Sequence, residues 1–126
     1  MPMIHKIDKI NGIVVVRCVG RVTNDDLVSL PERIVEDPDL VPGMPGLTDY
    51  TETTDYAITA EGVELYIQAL ARTRAKRGPA KSAIIVADDV QYGMSRMSAT
   101  IAENKSQLEF QTFRDRASAL AWLLKT

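Results

Sequence analysis

The sequence predicts an α/β fold, a mixed five-stranded sheet clothed by amphipathic helices in the order ββαβαβαβα. Three observations predict it. Two extended segments come first and meet at Asn11-Gly12. From Thr23 onward, helical periodicity alternates with short apolar runs to the C-terminus. Each of those runs follows a helix, so neighbouring strands are parallel and their crossovers right-handed.

The elements follow in order. Residues 3–10, MIHKIDKI, read as the first strand. Asn11-Gly12 predicts a type I′ turn, in which both central residues take positive φ. The β-branched run IVVVRCVG then pairs back as the second strand. Thr23 stands before Asn24-Asp25-Asp26 as an N-cap, with acidic groups at the positive end of the helix. Leu27, Leu30, Ile34 and Val35 carry the helical spacing, and Pro31 predicts a kink or a later start. Asp37-Pro38 ends the helix, and Val41–Gly46 is a loop by composition.

Leu47–Thr53 is the expected third strand, polar for a central one. Thr59 caps a second helix through about Arg77, with Ala60, Val63, Ile67, Leu70 and Ala71 as its apolar stripe, and Gly78-Pro79 stops it. SAIIVA is the fourth strand. A third helix is expected over 91–104 with Met94, Met97 and Ile101 inward, Asp88-Asp89 serving as loop and N-cap. LEFQTF is the fifth strand, and Asp115 caps a last helix that buries Ala117, Leu120, Ala121 and Leu124.

The chain of 126 residues reads as a single domain, 1–126, long enough to build a core without staples. A net charge of −2 supplies no global attraction to nucleic acid or an anionic membrane. Cys18 is the only cysteine, so no intramolecular disulfide forms. The N-terminus lacks the pattern of a signal peptide, and no apolar run approaches the ~20 residues that span a bilayer. The expected setting is cytoplasmic, with no integral membrane segment.

Four segments carry a family resemblance: Gly20-Arg21-Val22-Thr23 with Asp25-Asp26-Leu27; Asp37-Pro38 with Pro42-Gly43 and Leu47-Thr48-Asp49; Tyr92–Met97; and Phe113-Arg114-Asp115 with Ala119–Leu123. With them the chain resembles the small bacterial SpoIIAA-like, STAS/Sec14-like proteins over nearly its whole length. STAS domains that antagonise anti-sigma factors carry an Asp-Ser-Ser-Gly-like motif where the second helix begins, with one serine phosphorylated. Here the matching stretch is Thr59-Ala60-Glu61-Gly62. The glycine matches and both serines are absent, so a kinase-switched role is not expected. Glu61 would place a permanent negative charge near the phosphate position.

The residues offer little reactive chemistry. Zinc sites recruit several His or Cys ligands, and this chain has only His5 and Cys18. Asp49 and Asp88-Asp89 lie near strand ends but in the wrong order for a receiver-type phosphoacceptor. His5 falls on an edge strand and Cys18 in an apolar strand that raises its pKa, so no nucleophile–base pair is expected. No glycine-rich phosphate loop occurs. Arg72, Arg74, Lys76, Arg77 and Lys81 read as a solvated face at a helix C-terminus.

The leading expectation is a non-enzymatic interaction module that needs no cofactor and no metal. It would meet a protein partner through Asp49, Thr59 and Glu61. The alternative is a carrier or sensor of an apolar or amphipathic ligand, held by Tyr92, Met94, Arg96 and Met97, as the Sec14-like resemblance implies. Trp122 projects about 200° from Leu120 on a helical wheel of ~100° per residue and is expected at a homodimer contact.

Overall fold

The computed structural model describes residues 2–125. Strands β1 (Met3–Asp8), β2 (Ile13–Thr23), β3 (Gly46–Ala57), β4 (Ala80–Ile85) and β5 (Leu108–Phe113) lie side by side in sequence order. β1 is antiparallel to β2, and β2 through β5 are parallel. Helices α1 (Asn24–Val35), α2 (Ala60–Arg77) and α3 (Asp89–Ser106) bridge the parallel strands, and α4 (Arg116–Leu123) follows β5. The expected ββαβαβαβα order and mixed sheet are therefore present.

Strand order decides the layers. Right-handed crossovers that all advance in one direction put their helices on one face. Val14, Val16, Cys18 and Tyr50 accordingly share a core with Leu27, Leu30, Ile34, Val63, Ile67 and Leu70. The alternate positions Leu47, Ala83 and Ile85 face the other way, toward Ala119 and Leu123 of α4.

The first turn differs from the expected one. β1 stops at Asp8, whose carboxylate accepts from the N–H groups of Ile10 (3.0 Å) and Asn11 (3.1 Å), while Gly12 N–H donates to Asp8 C=O at 2.8 Å. Gly12 alone takes a positive φ, 66°, and Asn11 does not. An Asx-type side chain thus competes with the two-residue turn and wins.

α1 starts where the sequence places it. Thr23 Oγ1 accepts from Asp26 N–H at 3.4 Å, and the Asp26 carboxylate accepts from Thr23 N–H at 2.8 Å, a reciprocal capping box. The helix runs through Pro31 to Val35 rather than beginning there. Leu27, Leu30, Pro31 and Ile34 are all buried, and that burial offsets the hydrogen bond Pro31 withholds.

β3 continues four residues past the expected Thr53, to Ala57, because β2 continues beside it with register shifts after Arg17 and Gly20. β4 reaches only the Gly46–Asp49 part of β3. The far ends of β2 and β3 therefore form a two-stranded arm that leads into α1 and α2. On α4 the buried residues are Ala119 and Leu123, while Ala117, Ala121 and Leu124 are exposed. The eight-residue helix crosses β4 with a narrower stripe than its apolar composition suggested.

α1 and α2 meet closely at their N-termini. Asn24 Nδ2 donates to Thr59 Oγ1 at 2.9 Å, and Thr59 N–H donates to Asn24 Oδ1 at 3.0 Å. A Cβ on Gly62 would overlap the Asn24 side chain. Gly62→Ala should therefore break the Asn24–Thr59 pair and cost about 1–3 kcal/mol, the scale of a lost cap plus overpacking. Urea denaturation checks it. The Asn24→Ala background removes the overlap, so there the Gly62→Ala penalty should shrink; an equal penalty in both backgrounds refutes the account.

Candidate functional site

The residues expected to form one recognition surface stand on two. Thr59 is the N-cap of α2, accepting from Gly62 N–H at 3.3 Å, and its hydroxyl is shared with Asn24. Glu61 lies exposed in the first turn of the same helix. Asp49 sits near the start of β3, on the face that carries α4. Its Oδ1 accepts from Thr51 N–H (2.8 Å) and Thr51 Oγ1 (2.6 Å), and its Oδ2 lies 3.6 Å from Arg116 Nη1. Eight residues of strand separate Asp49 from the end of β3, on the order of 25 Å at about 3.3 Å each. Alternation along β3, invisible in a motif, sets Asp49 and the α2 N-terminus apart.

The residues expected around a ligand also divide. α3 presents Gln91, Ser95, Ala102 and Ser106 to the interior, all buried, in place of the expected Met97 and Ile101. Met94 packs partly against the core. Tyr92 and Arg96 line a polar cleft of about 410 Å³ with Thr100, Glu103 and Gln111. The guanidinium carbons of Arg96 and Arg114 lie 5.7 and 4.8 Å from the Tyr92 ring centroid, and Arg114 also pairs with Asp89 at 2.5 Å. Met97 turns the other way, toward α2.

That second direction holds the apolar surface. Between α2 and α3 runs a groove of about 490 Å³ lined by Ala60, Val63, Ile67, Met97, Ile101 and Lys105. Met97 and Ile101 are 52% and 49% exposed there, and Glu64 and Gln68 rim it. The groove begins at Ala60, between Thr59 and Glu61. Sequence periodicity favoured the large apolar residues of α3 as its inner face. Ser95, Ala102 and Ser106 offer no strong apolar signal, yet their small size lets the helix approach the sheet.

His5 and Cys18 face the helix side of β1 and β2, but neither is poised for the other. His5 Nε2 lies 2.9 Å from Asp37 Oδ2, just beyond α1. Cys18 is fully buried, and burial first, then the charges of Asp49 and Asp26, pushes its thiol up to about 12. A thiol held so far from ionisation is not a nucleophile near neutral pH. Among the described residues no three His, Cys, Asp or Glu side chains converge as a metal site. No helix among them is long and apolar enough to cross a membrane.

Trp122 is half-buried and engaged within the chain. Its ring lies 5.7 Å from that of Phe113, Lys81 Nζ stands 5.2 Å from its centroid, and Lys81 donates to its carbonyl at 3.2 Å. The basic cluster is not one solvated face either. Arg72 pairs with Glu32 at 3.4 Å, whereas Arg77 is buried. Nothing in the local sequence distinguishes Arg77 from its neighbours, because only the packing of α2 on the sheet selects it.

The Asp37 carboxylate is held below the usual range, first by the N–H of Asp39 and then by His5. A carboxylate depressed in the folded state contributes stability above its unfolded pKa of ~3.9, and loses it as pH falls through the folded value. The urea midpoint of the wild type should therefore fall more steeply below about pH 4 than that of Asp37→Asn. Parallel pH profiles would show that Asp37 carries none of the acid sensitivity.

No family model and no curated protein sequence matches the chain. Among solved structures, it is similar to an uncharacterised protein of the DUF3478 family from Shewanella loihica PV-4, described as having a SpoIIAA-like fold. The likeness covers 96% of this chain and 91% of that one, with a TM-score of 0.60 and 21% sequence identity. Identity at that level speaks for architecture alone, and the architecture agrees with the resemblance seen in the sequence. This chain has a SpoIIAA-like fold.

Proposed function

We propose that the protein is a non-enzymatic, cytoplasmic interaction module that binds an amphipathic segment of a partner protein along the α2–α3 groove. One observation carries the reading: Met97 and Ile101 stand half-exposed over an apolar channel that opens beside the Thr59–Glu61 turn. A channel of that form accepts apolar side chains at helical spacing. Glu64 rims the groove and Glu61 is exposed next in sequence to its lining residue Ala60, so the partner segment carries a basic residue there. Binding is constitutive, since the turn holds a fixed carboxylate in place of a phosphorylatable serine. Thr59 is the remaining hydroxyl, and its pairing with Asn24 makes it a structural cap. The reading as non-enzymatic is supported by the engaged His5 and the buried thiol of Cys18. Asp49, on the opposite face, falls outside the surface.

A second reading, a carrier of a small amphipathic ligand, rests on the polar inner face of α3. Beneath it lies a cavity of about 40 Å³ lined by Tyr50, Tyr56, Ser82, Ser95 and Phe110. That volume holds a few waters, so a larger ligand requires α3 to lift.

One experiment separates the two. Ile101→Asp and Glu61→Lys should each weaken capture of a common partner from the native cell by roughly tenfold or more, the loss of a central contact. Lys6→Glu, on the far face of the sheet, should leave it unchanged. Equal capture by all variants sinks the groove reading, and extra mass on the freshly purified chain in native mass spectrometry favours the carrier.

A further inference from the structure

Arg77 is the one charged side chain among the described residues that is buried, at 8% exposed. It belongs to the last turn of α2, where the C-terminal carbonyls supply partial negative charge. Its Nη1 is sealed from solvent without a hydrogen-bond partner, and no carboxylate among the described residues pairs with the guanidinium. Glu32 on α1 pairs with Arg72. An arginine stays protonated in a protein, so this charge cannot be relieved by losing a proton. A buried cation with only partial charge from helix carbonyls and no paired carboxylate is costly for a core to hold.

Arg77 lines a cavity of about 40 Å³ between α1, α2 and the sheet, with Nη2 beside Gly46. Three hydroxyl-bearing residues share that cavity, Thr48 on β3, Tyr66 on α2 and Ser82 on β4, and none of their hydroxyls has a protein partner among the described residues. Gly46 completes the cradle: a Cβ there would stand 3.3 Å from Arg77 Nη2 and 3.9 Å from Ser82 Oγ. The missing side chain lets the guanidinium extend across the β3 backbone toward Ser82. The remaining wall is apolar, from Val14, Leu30, Ile34 and Leu70 among others.

We propose that Arg77, Thr48, Tyr66 and Ser82 form an internal binding site for a small monovalent oxyanion of the carboxylate, bicarbonate or nitrate class. The chemistry matches on each count. A guanidinium fork meets two oxygens of a planar anion side by side, and hydroxyls donate to the rest. The volume admits three or four heavy atoms where a single water needs about 10–15 Å³. Sulfate and phosphate, bulkier and more highly charged, fit neither the space nor the single positive charge.

The site also accounts for two loops that the interaction surface leaves unused. Gly43 N–H donates to Arg77 C=O at 2.8 Å, and a Cβ on Gly78 would lie 2.6 Å from Gly43 N. The Pro42-Gly43 turn thus seats directly on Gly78-Pro79 and covers the end of α2 that carries Arg77. The anion site and the α2–α3 groove rest on separate observations, so either stands without the other.

The full chain tests it by urea denaturation in sodium formate and sodium nitrate, read beside sodium sulfate at equal ionic strength. A ligand bound only by the folded state raises stability with the logarithm of its concentration once it exceeds Kd. The wild-type midpoint should climb in this way with formate and nitrate. Arg77→Met should lose that response while still folding, because it exchanges a buried charge for an apolar chain of similar reach. Ser82→Ala and Tyr66→Phe should shift the formate dependence to several-fold higher concentration. If Arg77→Met does not fold, Gly46→Ala serves, since its methyl crowds Nη2 and should blunt the response. Equal responses of wild type and either folded variant, or no formate or nitrate response beyond sulfate, overturns the site and leaves the guanidinium to water.

Discussion

The parallel strands advance in one direction across the sheet, and a right-handed crossover allows only one placement for the helix between each pair. α1, α2 and α3 must therefore share a face, while α4 is left to cover the other alone. There is no point at which strand order reverses, so the parallel strands open no crevice of the kind that doubly wound sheets use for ligands. Surfaces of interest have to arise elsewhere: between neighbouring helices, or between the helix layer and the sheet. Both appear here.

α2 occupies the middle of that layer, and its two ends experience different surroundings. At the N-terminus, Asn24 and Thr59 exchange hydrogen bonds across Gly62, locking α2 to α1 and leaving Glu61 in solvent. At the C-terminus the same docking drives Arg77 inward over Gly46. α3 is seated by small residues, Ser95, Ala102 and Ser106, so its larger apolar side chains are displaced to its flank. The half-exposed groove and the polar interior are two consequences of one choice of packing. A helix that met the sheet with Met97 and Ile101 would have filled the interior and left no groove.

Much of the scaffold was legible. Thr23, Thr59, Asp88 and Asp115 each cap the helix that follows them, and each does so by a side-chain oxygen accepting a backbone N–H, a purely local interaction. The candidate site was less legible. Asp49, Thr59 and Glu61 looked adjacent because motifs are read along the chain, but strand alternation turned Asp49 to the α4 side. Of the expected inner face of α3, Met94 packs against the core while Met97 and Ile101 turn outward, because apolar periodicity records which residues are hydrophobic, not which way a helix turns when small residues allow closer contact. The Asn11-Gly12 turn gave way to Asp8 for a related reason, two local signals in competition within a few residues.

The sequence by itself determined the order of elements, their caps and the parallel sense of the crossovers, since these depend on neighbouring residues and on chain chirality. It also determined that reactive groups are scarce. Tertiary structure decided which residues meet. Arg77 is chemically indistinguishable from Arg72 and Arg74 along the chain, and becomes the single buried charge of the described core only because α2 docks with that side toward Gly46 and Ser82. Burial is a property of the assembled layers, and no local pattern encodes it for a lone polar side chain.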